Sequence, residues 1–176
     1  HDDETCTAWF AYSGGGMLVF PVGEKLVYVY GGNSGFFDTL GPLAAARIET
    51  ADRSGANRTL HQVFNARTVV GVGLGSERHG FAWDEQNLYF LAQSYAGKDI
   101  DQKLEQLLCA FDVQSGKTFL LARLDATTRI IGVDGGDLVL TSCPDAISIS
   151  TDIHSLQSQL IRFSLSDQTQ AVIGQY

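Results

Sequence analysis

Apolar and polar residues alternate along most of this chain with a period of two, in short arms broken by clusters of Gly, Asp, Asn, Glu and Ser. Between Leu108 and Leu121, for example, Cys109, Phe111 and Val113 fall on one side, and Ala110, Asp112 and Gln114 on the other. Successive side chains of a strand point to opposite faces, so this is a strand period and not a helical one. Phe20–Tyr30, Phe81–Leu91 and Ile131–Thr141 each read as an apolar arm, a polar turn and a β-branched or aromatic arm, which predicts a hairpin. A second hairpin follows each one, over Ala46–Leu60, Leu108–Leu121 and Leu160–Ile173. Their turns fall at Asp52–Gly55, Gln114–Gly116 and Ser166–Gln168, where Ser-Gly and Ser-Asp supply left-handed or Asx-type geometry.

The order of hairpin, long connection, hairpin thus occurs three times, over residues of roughly 17–64, 78–123 and 128–176. Ser54, Ser115 and Ser166 mark one recurring turn, at intervals of 61 and 51 residues. Residues 8–20, turning at Ser13–Gly16, read as a hairpin of a preceding partial unit. The expected fold is all-β: antiparallel four-stranded blade repeats forming a partial β-propeller of about three to four blades, in one domain over residues 1–176. Closed propellers have roughly four to eight blades. The chain is therefore expected to be a fragment of a longer propeller, with ring closure by two copies or another packing of the sheets as the alternatives.

The segment Asp52-Arg-Ser-Gly-Ala-Asn-Arg-Thr-Leu60 resembles a hairpin of TolB-like and LRP-receptor-like six-bladed propellers. Val133-Asp-Gly-Gly-Asp-Leu-Val-Leu140 resembles the hairpin that precedes it in such blades. The resemblance covers about residues 17–176 and departs from the family in its long insertions and missing blades. It implies a secreted or envelope-associated bacterial protein, or a domain that binds other proteins.

Composition narrows the function by exclusion. The net charge of −8 and the absence of a basic cluster disfavour a phosphate backbone, so no nucleic acid is expected as a partner. Met17–Phe20, Leu26–Tyr30 and Leu88–Leu91 are the longest apolar runs, far short of the ~20 residues of a membrane helix. Nineteen Gly against three Pro suit many tight turns. The chain starts at His1 without an initiator Met, as a processed or trimmed chain does. Cys6, Cys109 and Cys143 match no metal or redox spacing. They read as small buried residues plus one in the N-terminal stretch, or as one disulfide such as Cys109–Cys143 with a thiol left over.

In a blade whose strands run outward from an axis, the short turns share one end and the long second-to-third connections share the other. Here the latter are 31–43, 93–106 and 142–158, and long loops on a rigid scaffold are where binding usually sits. The first holds the adjacent aromatics Phe36 and Phe37, read either as a stacking surface for a sugar or partner or as caps on the rim of a blade. The second holds Tyr95 and Asp99; Ile100, Leu104 and Leu107 have helical spacing, and a strand extension is the alternative. The third holds Asp152 and His154, a potential ligand pair or a surface His beside an Asp, and Ile147, Ile149 and Ile153, which suit an extra edge strand. There is no Gly-x-Ser-x-Gly elbow and no calcium loop. Gly71-Val-Gly-Leu-Gly-Ser76 lacks the Lys-Ser/Thr ending of a phosphate loop and reads as a flexible crossing flanked by His61 and His79. The expectation is a non-catalytic module without cofactor or metal that binds a protein or glycan through its long-loop end. The alternative is the propeller portion of an exported hydrolase. Open blade edges add self-association as a further expectation.

Overall fold

The computed structural model describes residues 10–12, 15–30, 47–62, 71–72, 80–95, 104–125, 127–143 and 158–176. Over these the protein is all-β, with three antiparallel sheets and no helix among the described residues. The first sheet is a meander of β1 (Phe10–Tyr12), β2 (Gly15–Val22), β3 (Lys25–Tyr30), β4 (Arg47–Asp52) and β5 (Thr59–Gln62). The second contains β6 (Gly71–Val72), β7 (Phe81–Trp83), β8 (Asn87–Tyr95), β9 (Leu104–Asp112) and β10 (Lys117–Leu124). Its order is β10-β9-β8, with β6 and β7 sharing the remaining edge of β8. The third is β11 (Arg129–Asp134), β12 (Asp137–Ser142), β13 (Gln159–Ser164) and β14 (Gln170–Gln175) in sequence order.

Four of the hairpins turn on glycine. Gly23, Gly55, Gly116, Gly135 and Gly136 have positive φ, which a residue without Cβ adopts freely. At the β4–β5 turn, the Asp52 carboxylate accepts from the Ser54 and Ala56 amides, the Ser54 hydroxyl and the Asn57 side-chain amide. The Asp, Ser and Asn of the sequence motif at this hairpin are thus the residues that close its turn.

Register makes the three sheets comparable position by position. Lys25 pairs with Asp52, Asn87 with Asp112, and Asp137 with Ser164, each at the same corner of its sheet. From that corner, Leu26, Leu88 and Leu138 occupy one face, and Val27, Tyr89 and Val139 the other. One core cluster joins Val27, Val29 and Ile48 of the first sheet to Leu88, Phe90, Cys109 and Phe111 of the second. The next joins Tyr89, Leu91, Leu108 and Ala110 of the second to Leu138, Leu140, Ile161 and Phe163 of the third. The trailing face of each sheet therefore meets the leading face of the next, always in the same sense, and the middle sheet is buried on both faces. Between sheets, the Cα atoms that come within 8 Å lie mainly on β2, β7, β8 and β11, the first and second strands of the hairpin pairs. The outermost strands β5, β10 and β14 expose Leu60, Phe119, Leu120, Val172 and Ile173.

The two end faces differ from these interfaces. On the leading face of the first sheet, Glu49 is buried near Arg58 at 3.8 Å, and the Arg58 guanidinium lies 4.3 Å from the Tyr28 ring centre. On the trailing face of the third sheet, Arg162 takes the position held by Thr50 and Ala110 in the other sheets. It lies 3.6 Å from Asp134 and 3.9 Å from Asp137.

Three readings change, and one open alternative is decided. The hairpin over 8–20 does not form a unit of its own: β1 pairs with β2, whose edge is open, and lengthens the first sheet. The connection read as 93–106 shrinks to 96–103, because Gln93, Ser94 and Tyr95 pair with Gln106, Glu105 and Leu104. That pairing decides between the two readings of this stretch in favour of the strand extension: Leu104–Leu108 is strand, despite the helical spacing of its leucines. Gly71–Val72 is a strand segment and not only a crossing: β7 stops short and leaves the edge of β8 free at Ala92 and Gln93. The extra edge strand expected around Ile147–Ile153 lies outside the described residues.

Candidate functional site

The end carrying the long connections is marked by the strand ends Tyr30 and Arg47, Tyr95 and Leu104, and Ser142 and Gln159. Tyr95 ends β8 there, its backbone paired with Leu104. Phe36, Phe37, Asp99, Asp152 and His154 lie outside the described residues. The structure therefore brings one of the six expected residues to this end by its backbone.

Next to it, the short crossing from β10 to β11 is tied down by Asp125. Its carboxylate accepts from the Thr127 amide at 2.9 Å, the Thr127 hydroxyl and the Ser142 hydroxyl at 2.7 Å. The Thr127 oxygen in turn accepts the Cys143 amide at 3.0 Å. Partial burial works against the Asp125 carboxylate, but the hydroxyls of Thr127 and Ser142 outweigh it and hold its pKa below the ordinary value of 3.8. Cys143 and Cys109 are both free thiols. Cys109 is fully buried between the first and second sheets, and burial pushes its pKa up to about 12, which keeps it an inert thiol. The alternative of a Cys109–Cys143 disulfide is thereby set aside, since β9 directs Cys109 into the first interface. Cys6 lies outside the described residues.

The opposite end, where the short turns gather, holds a feature that sequence spacing did not reveal. The first two sheets part there into a cleft of about 730 Å³, lined by Gly23, Lys25, Thr50, Thr59, His61 and Arg53 of the first sheet and by Glu85 and Gln114 of the second. The trailing face of the first sheet is apolar at Val27, Val29 and Ile48 and turns polar at Thr50, Thr59 and His61. His61 Nε2 lies 2.9 Å from the Thr50 hydroxyl, and its ring meets Phe111 edge-on with centroids 5.2 Å apart. A Cβ on Gly116 would collide with the His61 ring, and a Cβ on Gly23 with the Glu85 carbonyl oxygen. Two glycines thus let turns of neighbouring sheets approach closely on either side of the cleft. Burial lowers the His61 pKa from 6.5, so the ring is neutral at pH 7.

A hydroxyl beside an imidazole invites comparison with an activated nucleophile, which also needs a group to orient the base. The Nδ1 side of His61 packs on Gly116, and among the described residues no carboxylate bonds to it. Elsewhere Tyr89 donates to Asp84 at 2.7 Å; burial, reinforced by Asp84, raises its hydroxyl pKa well above 10, so it stays a neutral donor. Among the described residues, no three His, Cys, Asp or Glu side chains converge as a metal site. Among the described residues there is also no helix long and apolar enough to cross a membrane. No protein-family model matches this chain, and no curated protein matches it.

Proposed function

We propose that the chain is part of a β-propeller and serves as a non-catalytic binding module that engages a protein or glycan through the end carrying the long connections. One observation carries this reading: three sheets stack trailing face on leading face, closest at their first and second strands, with apolar side chains exposed along their outermost strands. Sheets that converge inward and splay outward are wedges around an axis, the geometry of propeller blades. Antiparallel pairing then gathers the connections after β3, β8 and β12 at one end of a rigid scaffold, where binding residues are usually carried. The reading includes an exported protein, secreted or held at the cell envelope, and here its support is the resemblance of the Asp52–Leu60 hairpin alone.

The test is a glycan array and a two-hybrid screen with the whole chain, each repeated with Phe36→Ala/Phe37→Ala and with Asp152→Ala/His154→Ala. At least one loop-end double variant is expected to weaken a specific hit by about tenfold or more, the effect of losing an aromatic or charged anchor. Hits that neither variant moves would overturn the reading.

A further inference from the structure

We infer that the cleft at the short-turn end is a second binding site, shaped for a small zwitterion: a free amino acid or a dipeptide with both termini charged. The argument starts from which charges at the cleft are already matched. Arg53 donates to the Gly23 carbonyl at 2.6 Å and lies 3.8 Å from Glu24, so its charge is engaged. Lys25 stands opposite Asp52 in the β3–β4 register, yet the Asp52 carboxylate is filled by the donors of its own turn. Lys25 is left without an ion pair among the described residues. On the other wall, Glu85 is exposed at the tip of the β7–β8 turn, where Asp84 takes up the amides of Gln86 and Asn87. It too has no ion pair among the described residues.

The cleft therefore offers a cation on the first sheet and an anion on the second, neither matched among the described residues, both lining the same space. A ligand that satisfies both carries a carboxylate at one end and an ammonium at the other. Thr59 and Gln114 also line the cleft and carry neutral hydrogen-bonding groups, which suit a peptide unit. A polyanion fits less well, because Glu24 and Glu85 line the cleft and the chain carries a net charge of −8. A purely apolar ligand finds Thr, His, Lys, Arg and Glu where it needs carbon. The cleft is also preformed: Gly23 and Gly116 hold the neighbouring turns in close contact, so little ordering opposes binding. The site lies at the opposite end from the long connections and does not depend on the function proposed for them.

The experiment is calorimetric titration of the whole chain with L-alanyl-L-alanine, its N-acetyl form, its C-terminal amide, and free alanine. The free dipeptide or alanine is expected to bind saturably, and blocking either terminus to weaken binding by about tenfold, the scale of one charge-assisted contact. Lys25→Ala should abolish the preference for a free carboxylate, and Glu85→Gln the preference for a free ammonium. Both side chains are exposed, so the variants should fold, and their melting curves check this. Equal binding of free and blocked forms, or no saturation by any of the four compounds, would overturn the assignment. So would a double-variant cycle in which Lys25 and Glu85 prove only to stabilise one another.

Discussion

Asp52, Asp84, Asp112, Asp125 and Asp167 each accept a hydrogen bond from the backbone amide two residues further on. In four of the five the carboxyl lies below its ordinary pKa of 3.8, chiefly through the hydroxyls of Ser54 at Asp52 and Thr169 at Asp167, the Ser115 amide at Asp112, and, outweighing burial at Asp125, the hydroxyls of Thr127 and Ser142. A carboxyl whose pKa is lower in the folded chain than in the unfolded one adds stability above the unfolded value. That contribution is lost as pH falls through the folded value. The protein should therefore be insensitive to pH through these groups at neutrality and lose stability below about pH 4. Asp125→Ala should lower the stability from chemical denaturation at pH 7 by about 1–2 kcal/mol, since it strands Ser142 and Thr127 while solvent screening trims the effect. It should also flatten the acid limb. His61 has the same sign at a higher pH: burial lowers its pKa from 6.5, so its contribution is present above that value and fades as pH drops below it. His61→Gln should remove that slope below about pH 6.5 in a denaturation series.

Among the elements, the hairpins are where sequence and structure agree most closely. Alternating apolar positions separated by Asp, Ser and Gly carry enough local information to set both strands and the turn, as at Asp112–Lys117 between β9 and β10. β1 was legible as an arm of the hairpin over 8–20, and only its unit was misplaced, because the hairpin extends the first sheet. One short piece was not legible: β6 has little propensity of its own and pairs with the edge of β8 that β7 leaves open, a fact that belongs to the partner strand. The cleft was hidden for a related reason: His61, Thr50, Gly116 and Phe111 come from two different sheets, and no spacing along the chain announces their meeting. His61 was instead noted only as a flank of the crossing to β7. The glycines give this scale its test. Gly23→Ala forces a Cβ onto a backbone with φ +53° and into the Glu85 carbonyl. It should cost at least about 1–3 kcal/mol in a thermal or denaturant melt. Phe111→Ala, in the same interface and fully buried, should cost about 3–5 kcal/mol. Leu60→Ser, on an exposed outer strand, should stay within about 0.5 kcal/mol.

At the scale of the whole molecule, the stack has one sheet covered on both faces and two covered mainly on one. Amide exchange reads that difference directly, because protection follows the free energy of opening. The amides of β8 and β9 should exchange most slowly, and those of β14, whose residues are largely exposed, much faster. Equal protection across the three sheets would contradict the two-faced role of the middle one. Among the described residues nothing pairs with the outer edges of β5, β10 and β14, so sedimentation across a concentration series is the check on self-association.

The uniform sense of stacking also bears on how such a chain can be lengthened. Copying the segment that forms the second sheet would set Tyr89, Leu91, Leu108 and Ala110 against a fresh Leu88, Phe90, Cys109 and Phe111, apolar against apolar. A tandem duplication there yields a longer array whose new joint is chemically of the same kind as the existing ones. Copying the third segment would instead trap Arg162, Asp134 and Asp137 inside a joint, where three charges must be desolvated together. Genetic growth of this architecture is thus favoured from its middle and discouraged at its third sheet.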